Sequence, residues 1–210
     1  VLAAFAEVIG RWSRHARFVL NVTVLNRPDV HPQIRGIVGD FTTVELLDVE
    51  VGFAQPFQVR AQQIQARLWD DLDHSLVTGI DVVRERRRRD PEASSLFPVV
   101  FTSSIGLGRD PAGLVAASPD ASAGHGVGWL PRLVHGISQT PQVWLDCQAK
   151  ETGSGVAVNW DVRDGVFPDG LIDTMFGAFT ELLNDLATGA DAWQASCPVP
   201  VPPKQLERRP

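Results

Sequence analysis

Apolar residues along this chain recur with two periods, and their alternation predicts the elements before any single residue is weighed. Over 1–12, Leu2, Phe5, Ala6, Val8 and Ile9 fall at helical spacing, and 18–25 is a β-rich run stopped by Asn26-Arg27-Pro28. After His31-Pro32 a short helix or turn leads into a second β-prone stretch, 37–51, where Gly39-Asp40 predicts a bend or bulge. Phe57, Ala61, Ile64, Leu68 and Leu72 form the apolar stripe of an amphipathic helix. A shorter helix is predicted over 78–89, and a compact apolar strand over 97–104. Residues 106–128 mix Gly, Ala, Ser, Asp and Pro without a period and read as a long mobile surface loop. Further strands are predicted at 133–139, 142–150 and 156–161, the last two joined as a hairpin through Gly153-Ser154-Gly155. The final helix starts near Pro168, presents Leu171, Met175, Phe179, Leu182 and Leu186 on one face, and closes at Gly189.

Helices mixed with strands, without regular βαβ alternation, point to an α/β fold: a two-layer sandwich with a mixed sheet over 1–193. Residues 194–210, rich in Pro, read as an extended linker. The chain starts without Met and directly in a helical pattern, as an excised segment would.

Composition narrows the function classes. The chain has 210 residues, 44% hydrophobic, with a formal net charge of −6. Nucleic acid and anionic membrane reward clustered excess Lys and Arg, so neither partner is expected. The one basic run, Arg84 to Arg89 with Glu85 inside it, suits the negative end of a helix dipole; a docking patch for an acidic partner is the other reading. Two cysteines, Cys147 and Cys197, do not make a disulfide framework, and a reducing, cytoplasmic setting fits them. The histidines have no metal-ligand spacing, no Gly-x-Ser-x-Gly elbow appears, and no glycine loop follows a strand to cradle phosphate.

Candidate chemistry lies on the predicted strands. Period 2 puts Gln142, Trp144, Asp146 and Gln148 on one face and Val143, Leu145 and Cys147 on the other, so Cys147 reads as buried and inert. A carboxylate flanked by amides and an indole suits a lined site, although an exposed face with an incidental Asp fits the same pattern. Thr102 and Ser104 share one side of the 97–104 strand, where Thr is also simply a good strand former. Asp40 reads as a turn-stabilising residue, and Asn159 and Asp161 as caps at a strand end.

Several stretches, taken together and in order, resemble the heterocyclisation domains of non-ribosomal peptide synthetases, members of the condensation-domain superfamily. They are Leu20-Asn21-Val22-Thr23-Val24-Leu25-Asn26-Arg27, Val38-Gly39-Asp40-Phe41-Thr42-Thr43, Leu68-Trp69-Asp70-Asp71-Leu72-Asp73-His74, Pro98-Val99-Val100-Phe101-Thr102-Ser103, Gln139-Thr140-Pro141-Gln142-Val143-Trp144-Leu145-Asp146 and Asn159-Trp160-Asp161. The resemblance implies a chloramphenicol-acetyltransferase-like fold of two lobes around a tunnel, of which this chain would be the C-terminal lobe. It also implies a reaction: a carrier-bound acyl group is condensed with Cys, Ser or Thr, and the product is cyclodehydrated to a thiazoline or oxazoline. By match to the family, Asp146 and Thr102 would be catalytic; Gln142 and Trp144, which share the face of Asp146, and Ser104, which shares that of Thr102, would then line the tunnel. Asp40 and Thr42 belong to a family motif and read as structural. No metal and no cofactor bound by this lobe is implied; substrates would arrive on phosphopantetheine arms. The partners implied are an N-terminal lobe carrying DxxxxD, upstream and downstream carrier domains and an adjacent adenylation domain, and the lobe alone is expected to be inactive. Where the family usually has His after the catalytic Asp, this chain has Cys147. An ordinary peptide-bond-forming condensation or acyltransferase lobe, or a non-catalytic carrier-binding module, are the competing readings.

Overall fold

The computed structural model describes residues 1–28, 30–52, 54–92, 96–106, 140–152 and 155–200. Five strands form one mixed sheet in the order β2-β1-β3-β4-β5. The strands are β1 (Arg17–Leu25), β2 (Thr42–Glu50), β3 (Val99–Ser103), β4 (Leu145–Thr152) and β5 (Gly155–Val162). β1 runs antiparallel to β2 and parallel to β3, β3 is parallel to β4, and β4 returns antiparallel as β5. The α/β class with a mixed sheet is as the sequence predicts. The predicted strand at 133–139 and all of the 106–128 loop except Gly106 lie outside the described residues.

Helices α1 (Leu2–Trp12), α2 (Phe57–Asp73) and α4 (Leu171–Thr188) put their apolar stripes on one face of the sheet. There Leu20 and Val22 of β1, Leu47 and Val49 of β2, Phe101 of β3 and Leu145, Cys147 and Ala149 of β4 meet Phe5, Val8, Phe57, Met175, Phe179 and Leu182. Large hydrophobic side chains removed from water contribute most of the stabilisation, roughly 1.5–3 kcal/mol each. Phe5 anchors the layer, with ring centroids 5.5 Å from Trp160, 6.0 Å from Phe101 and 6.0 Å from Phe179. α1 is tied to α2 by an enclosed ion pair: Arg60 Nη2 donates to both Glu7 oxygens at 2.8 Å, and Nε donates to Oε2 at 3.1 Å.

Two features were not read from the sequence. Helix α3 (Gly79–Arg89) begins against the opposite face of β2, where a Cβ at Gly79 would stand 2.8 Å from the Val44 carbonyl oxygen and 3.1 Å from Leu46 Cγ. Only glycine allows that approach. The Pro-rich segment following the short helix α5 (Asp191–Gln194) is docked as far as Val199, which is 1% exposed and part of the core. Phe57 N–H donates to the Ala195 carbonyl, fixing the return of the chain to α2.

The bend predicted within 37–51 is also placed differently. Gly39 and Asp40 precede β2, which pairs with β1 in unbroken register from Thr42 to Glu50. Asp40 Oδ1 accepts the Thr42 N–H at 2.8 Å, an Asx turn that starts the strand rather than interrupting it.

Candidate active site

The sheet face turned away from α1, α2 and α4 carries a polar file across four strands. Alternation fixes its members: Val22, Phe101, Cys147 and Trp160 pack in or against the core, so their neighbours Thr23, Thr102, Asp146, Gln148, Asn159 and Asp161 take the other side. Register aligns them laterally, with Thr23 beside Thr102, Thr102 beside Gln148, Gln148 beside Asn159, and Asp146 beside Asp161.

Hydrogen bonds run continuously through this file. Thr102 Oγ1 donates to Asp146 Oδ1 at 3.1 Å, and Thr23 Oγ1 lies 3.0 Å from Thr102 Oγ1. A hydroxyl has one proton, so Thr102, once committed to the carboxylate, accepts from Thr23. Gln148 Nε2 donates to Asp146 Oδ2 at 2.9 Å and to Asp161 Oδ2 at 3.0 Å. Asn159 Nδ2 donates to Gln148 Oε1 at 3.3 Å and to Asp161 Oδ1 at 3.5 Å. Asp146 is therefore a half-buried carboxyl whose two oxygens each accept a hydrogen bond from a fixed neighbour. A carboxyl group held at both oxygens has a fixed orientation, which is what general acid–base chemistry would require of it.

The structure brings Thr102 and Asp146 together; the other residues suggested by the sequence are arranged differently. Gln142 is not on the strand with Asp146: β4 starts at Leu145, and Gln142 lies exposed in the preceding turn with φ 68°. Strand parity cannot be extended through a left-handed backbone, so the expected shared face fails there. Trp144 is half-buried just before β4; its N–H donates to the Pro98 carbonyl at 2.8 Å and its carbonyl accepts from Arg163 N–H at 3.0 Å. Ser104 is exposed just past β3, with its N–H on the Ala149 carbonyl. Among the described residues, none of these three side chains is hydrogen-bonded into the file. Asp40 and Thr42 lie at the β2 edge, two strands from β3.

Asn159 and Asp161, read from sequence as caps, are instead cross-strand partners of Gln148 and Asp146 within the β4–β5 ladder. Thr23 was not singled out in the sequence, although the alternation of buried Leu20 and Val22 puts it on the polar side. Cys147 is buried beneath Asp146, and burial pushes its thiol up to about 12. Among the described residues no three His, Cys, Asp or Glu side chains are grouped to hold a metal, and no helix is long and apolar enough to cross a membrane. A groove of about 870 Å3, lined by Leu2, Phe57, Leu68, Leu186 and Trp193, lies on the helical side, away from the polar file.

No family model matches the chain. Pyochelin synthetase PchF of Pseudomonas aeruginosa is 46% identical over 208 residues, covering 98% of this chain and 11% of that protein. Phenyloxazoline synthase MbtB of Mycobacterium tuberculosis is 43% identical over 204 residues, covering 97% of this chain and 14% of that protein. Among solved structures, the cyclization-docking bidomain of EpoB from Sorangium cellulosum aligns with a TM-score of 0.72 at 41% identity, over 92% of this chain and 36% of that one. The chain belongs to the heterocyclisation domains of non-ribosomal peptide synthetases. This heterocyclisation lobe thus spans 11% and 14% of those two relatives. The first condensation domain of the CDA synthetase, 18% identical with a TM-score of 0.64, shares its fold. The architecture is the chloramphenicol-acetyltransferase-like one of condensation-domain lobes. Three of the stretches that carry the family resemblance, 20–27, 98–103 and 159–161, fall on or beside β1, β3 and β5, and a fourth leads into β4.

Proposed function

We propose that this lobe supplies the ring-closing half of a heterocyclisation reaction, with Asp146 as its proton-transfer group and Thr102 as its hydrogen-bonding partner. The observation that carries the reading is the Thr102 to Asp146 hydrogen bond at 3.1 Å, on a chain whose relatives include a phenyloxazoline synthase and a cyclization domain. In the first stage the amine of a carrier-bound Cys, Ser or Thr attacks an acyl thioester, forming an amide and freeing the upstream carrier thiol. In the second, the side-chain thiol or hydroxyl attacks the new amide carbonyl. Asp146 takes the proton from that nucleophile and returns it to the carbonyl oxygen, giving a cyclic carbinol. The amide N–H proton then moves to the departing hydroxyl, water leaves, and the C=N bond of the thiazoline or oxazoline remains. Hydroxide is a poor leaving group, so a positioned proton carrier is what the second stage needs.

The remaining parts of the reaction come from partners: an N-terminal lobe carrying DxxxxD that closes the tunnel, phosphopantetheine arms of upstream and downstream carriers, and a neighbouring adenylation domain, all cytoplasmic. The test is Thr102→Val, which keeps the shape of the side chain and removes the hydroxyl. With carrier-bound substrates and mass spectrometry of the carrier-bound product, it should accumulate open amide and slow ring formation by about 10²-fold, the usual scale for a lost proton-transfer contact. Ring formation at the wild-type rate would remove Thr102 from the mechanism.

A further inference from the structure

We propose that Gln148 is a positioning residue for ring closure, a single amide that holds Asp146 and Asp161 as one unit; the inference rests on the ring-closing role of Asp146 given above. Asp146 and Asp161 are direct partners across the antiparallel β4–β5 pair, so their side chains leave the sheet side by side. Like charges in that position repel unless a donor stands between them. Gln148 Nε2 is that donor, at 2.9 Å from Asp146 Oδ2 and 3.0 Å from Asp161 Oδ2. An amide nitrogen has two protons, and each is committed to one carboxyl group. Asn159 Nδ2, at 3.3 Å from Gln148 Oε1, keeps the amide from turning over. Asp146 is then gripped at both oxygens, by Thr102 on one and Gln148 on the other, which fixes the plane of the carboxyl group. Asp161 acts through Gln148 and does not itself need to touch the substrate.

The test separates amide formation from ring closure in the complete synthetase with carrier-bound substrates. Gln148→Met removes the donor, and Gln148→Glu keeps the shape while adding a third carboxylate. Each should slow ring closure at least about tenfold and leave amide formation within about threefold. The double variant Gln148→Met/Asp161→Asn should recover a large part of the loss, because the second carboxylate is gone and the new amide can donate across the strand pair. A merely structural glutamine would not be rescued this way. Unchanged ring closure in Gln148→Met, or a double variant as slow as the single one, overturns the proposal. Asp146→Asn run alongside separates the two readings. If it abolishes ring closure while Gln148→Met closes rings at the wild-type rate, the clamp alone falls; if it closes rings at the wild-type rate, the role of Asp146 falls and the clamp with it.

Discussion

Asp146 and Cys147 are adjacent in sequence and opposite in environment, and the reason is strand parity alone. Cys147 is fully enclosed under the sheet, and its thiol is pushed up to about 12 by burial, whereas Cys197 is exposed near the end of the described chain. A thiol-specific alkylating reagent at pH 8 should therefore label Cys197 in the native protein and reach Cys147 only after denaturation, as read by peptide mass mapping. Native labelling of Cys147 would contradict the placement. The linkage has a definite sign: the unfolded thiol ionises near 9.0 and the folded one near 12, so the folded state loses stability as pH rises above 9. Parity also explains what could be read at this scale. Leu145, Cys147 and Ala149 inward and Asp146 and Gln148 outward follow from the sequence, but the turn at Gln142 does not, because no residue there announces a left-handed backbone. The clamp on Asp146 was illegible for a different reason: it is a lateral contact between strands, and alternation along one strand carries no information about register with the next.

Elements are held in place by contacts that a hydrophobic stripe does not reveal. The spacing of Phe57, Ile64 and Leu68 predicts α2, yet the same helix turns Arg60, only 3% exposed, against Glu7 of α1, 2% exposed. Burial raises the Glu7 carboxyl above its ordinary range while the hydrogen bonds and charge of Arg60 oppose the shift. Arg60→Met leaves that carboxylate buried without its partner and should cost about 3–5 kcal/mol in denaturant unfolding. The double variant Glu7→Leu/Arg60→Met should fall well short of that loss. In Arg60→Met the folded state holds the Glu7 proton more tightly than the unfolded state, whose carboxyl ionises near 4.5. The deficit should therefore shrink as pH is lowered toward 4.5 and grow as it rises. A deficit independent of pH would mean that Glu7 is not its source. Most helices and strands were legible because each buries one periodic face; α3 was legible with its basic end, but not its place on the other face of β2, which depends on Gly79 meeting Val44.

At the scale of the whole molecule, one face of the sheet supplies the core and the other carries the polar file on which the proposed chemistry rests. The helical layer buries the core, and the polar file from Thr23 to Asp161 lies on the opposite face of the sheet. A ring-closing site needs water kept out and its proton carrier held, and the proposed function asks this lobe for the second of these. The central claim is that Asp146 drives ring closure rather than amide formation. The most direct measurement is the mass of the carrier-bound product made by the complete synthetase with Asp146→Asn. The account predicts the open amide, one water heavier than the ring, formed at close to the wild-type rate. A ring formed as fast as in the wild type would contradict it.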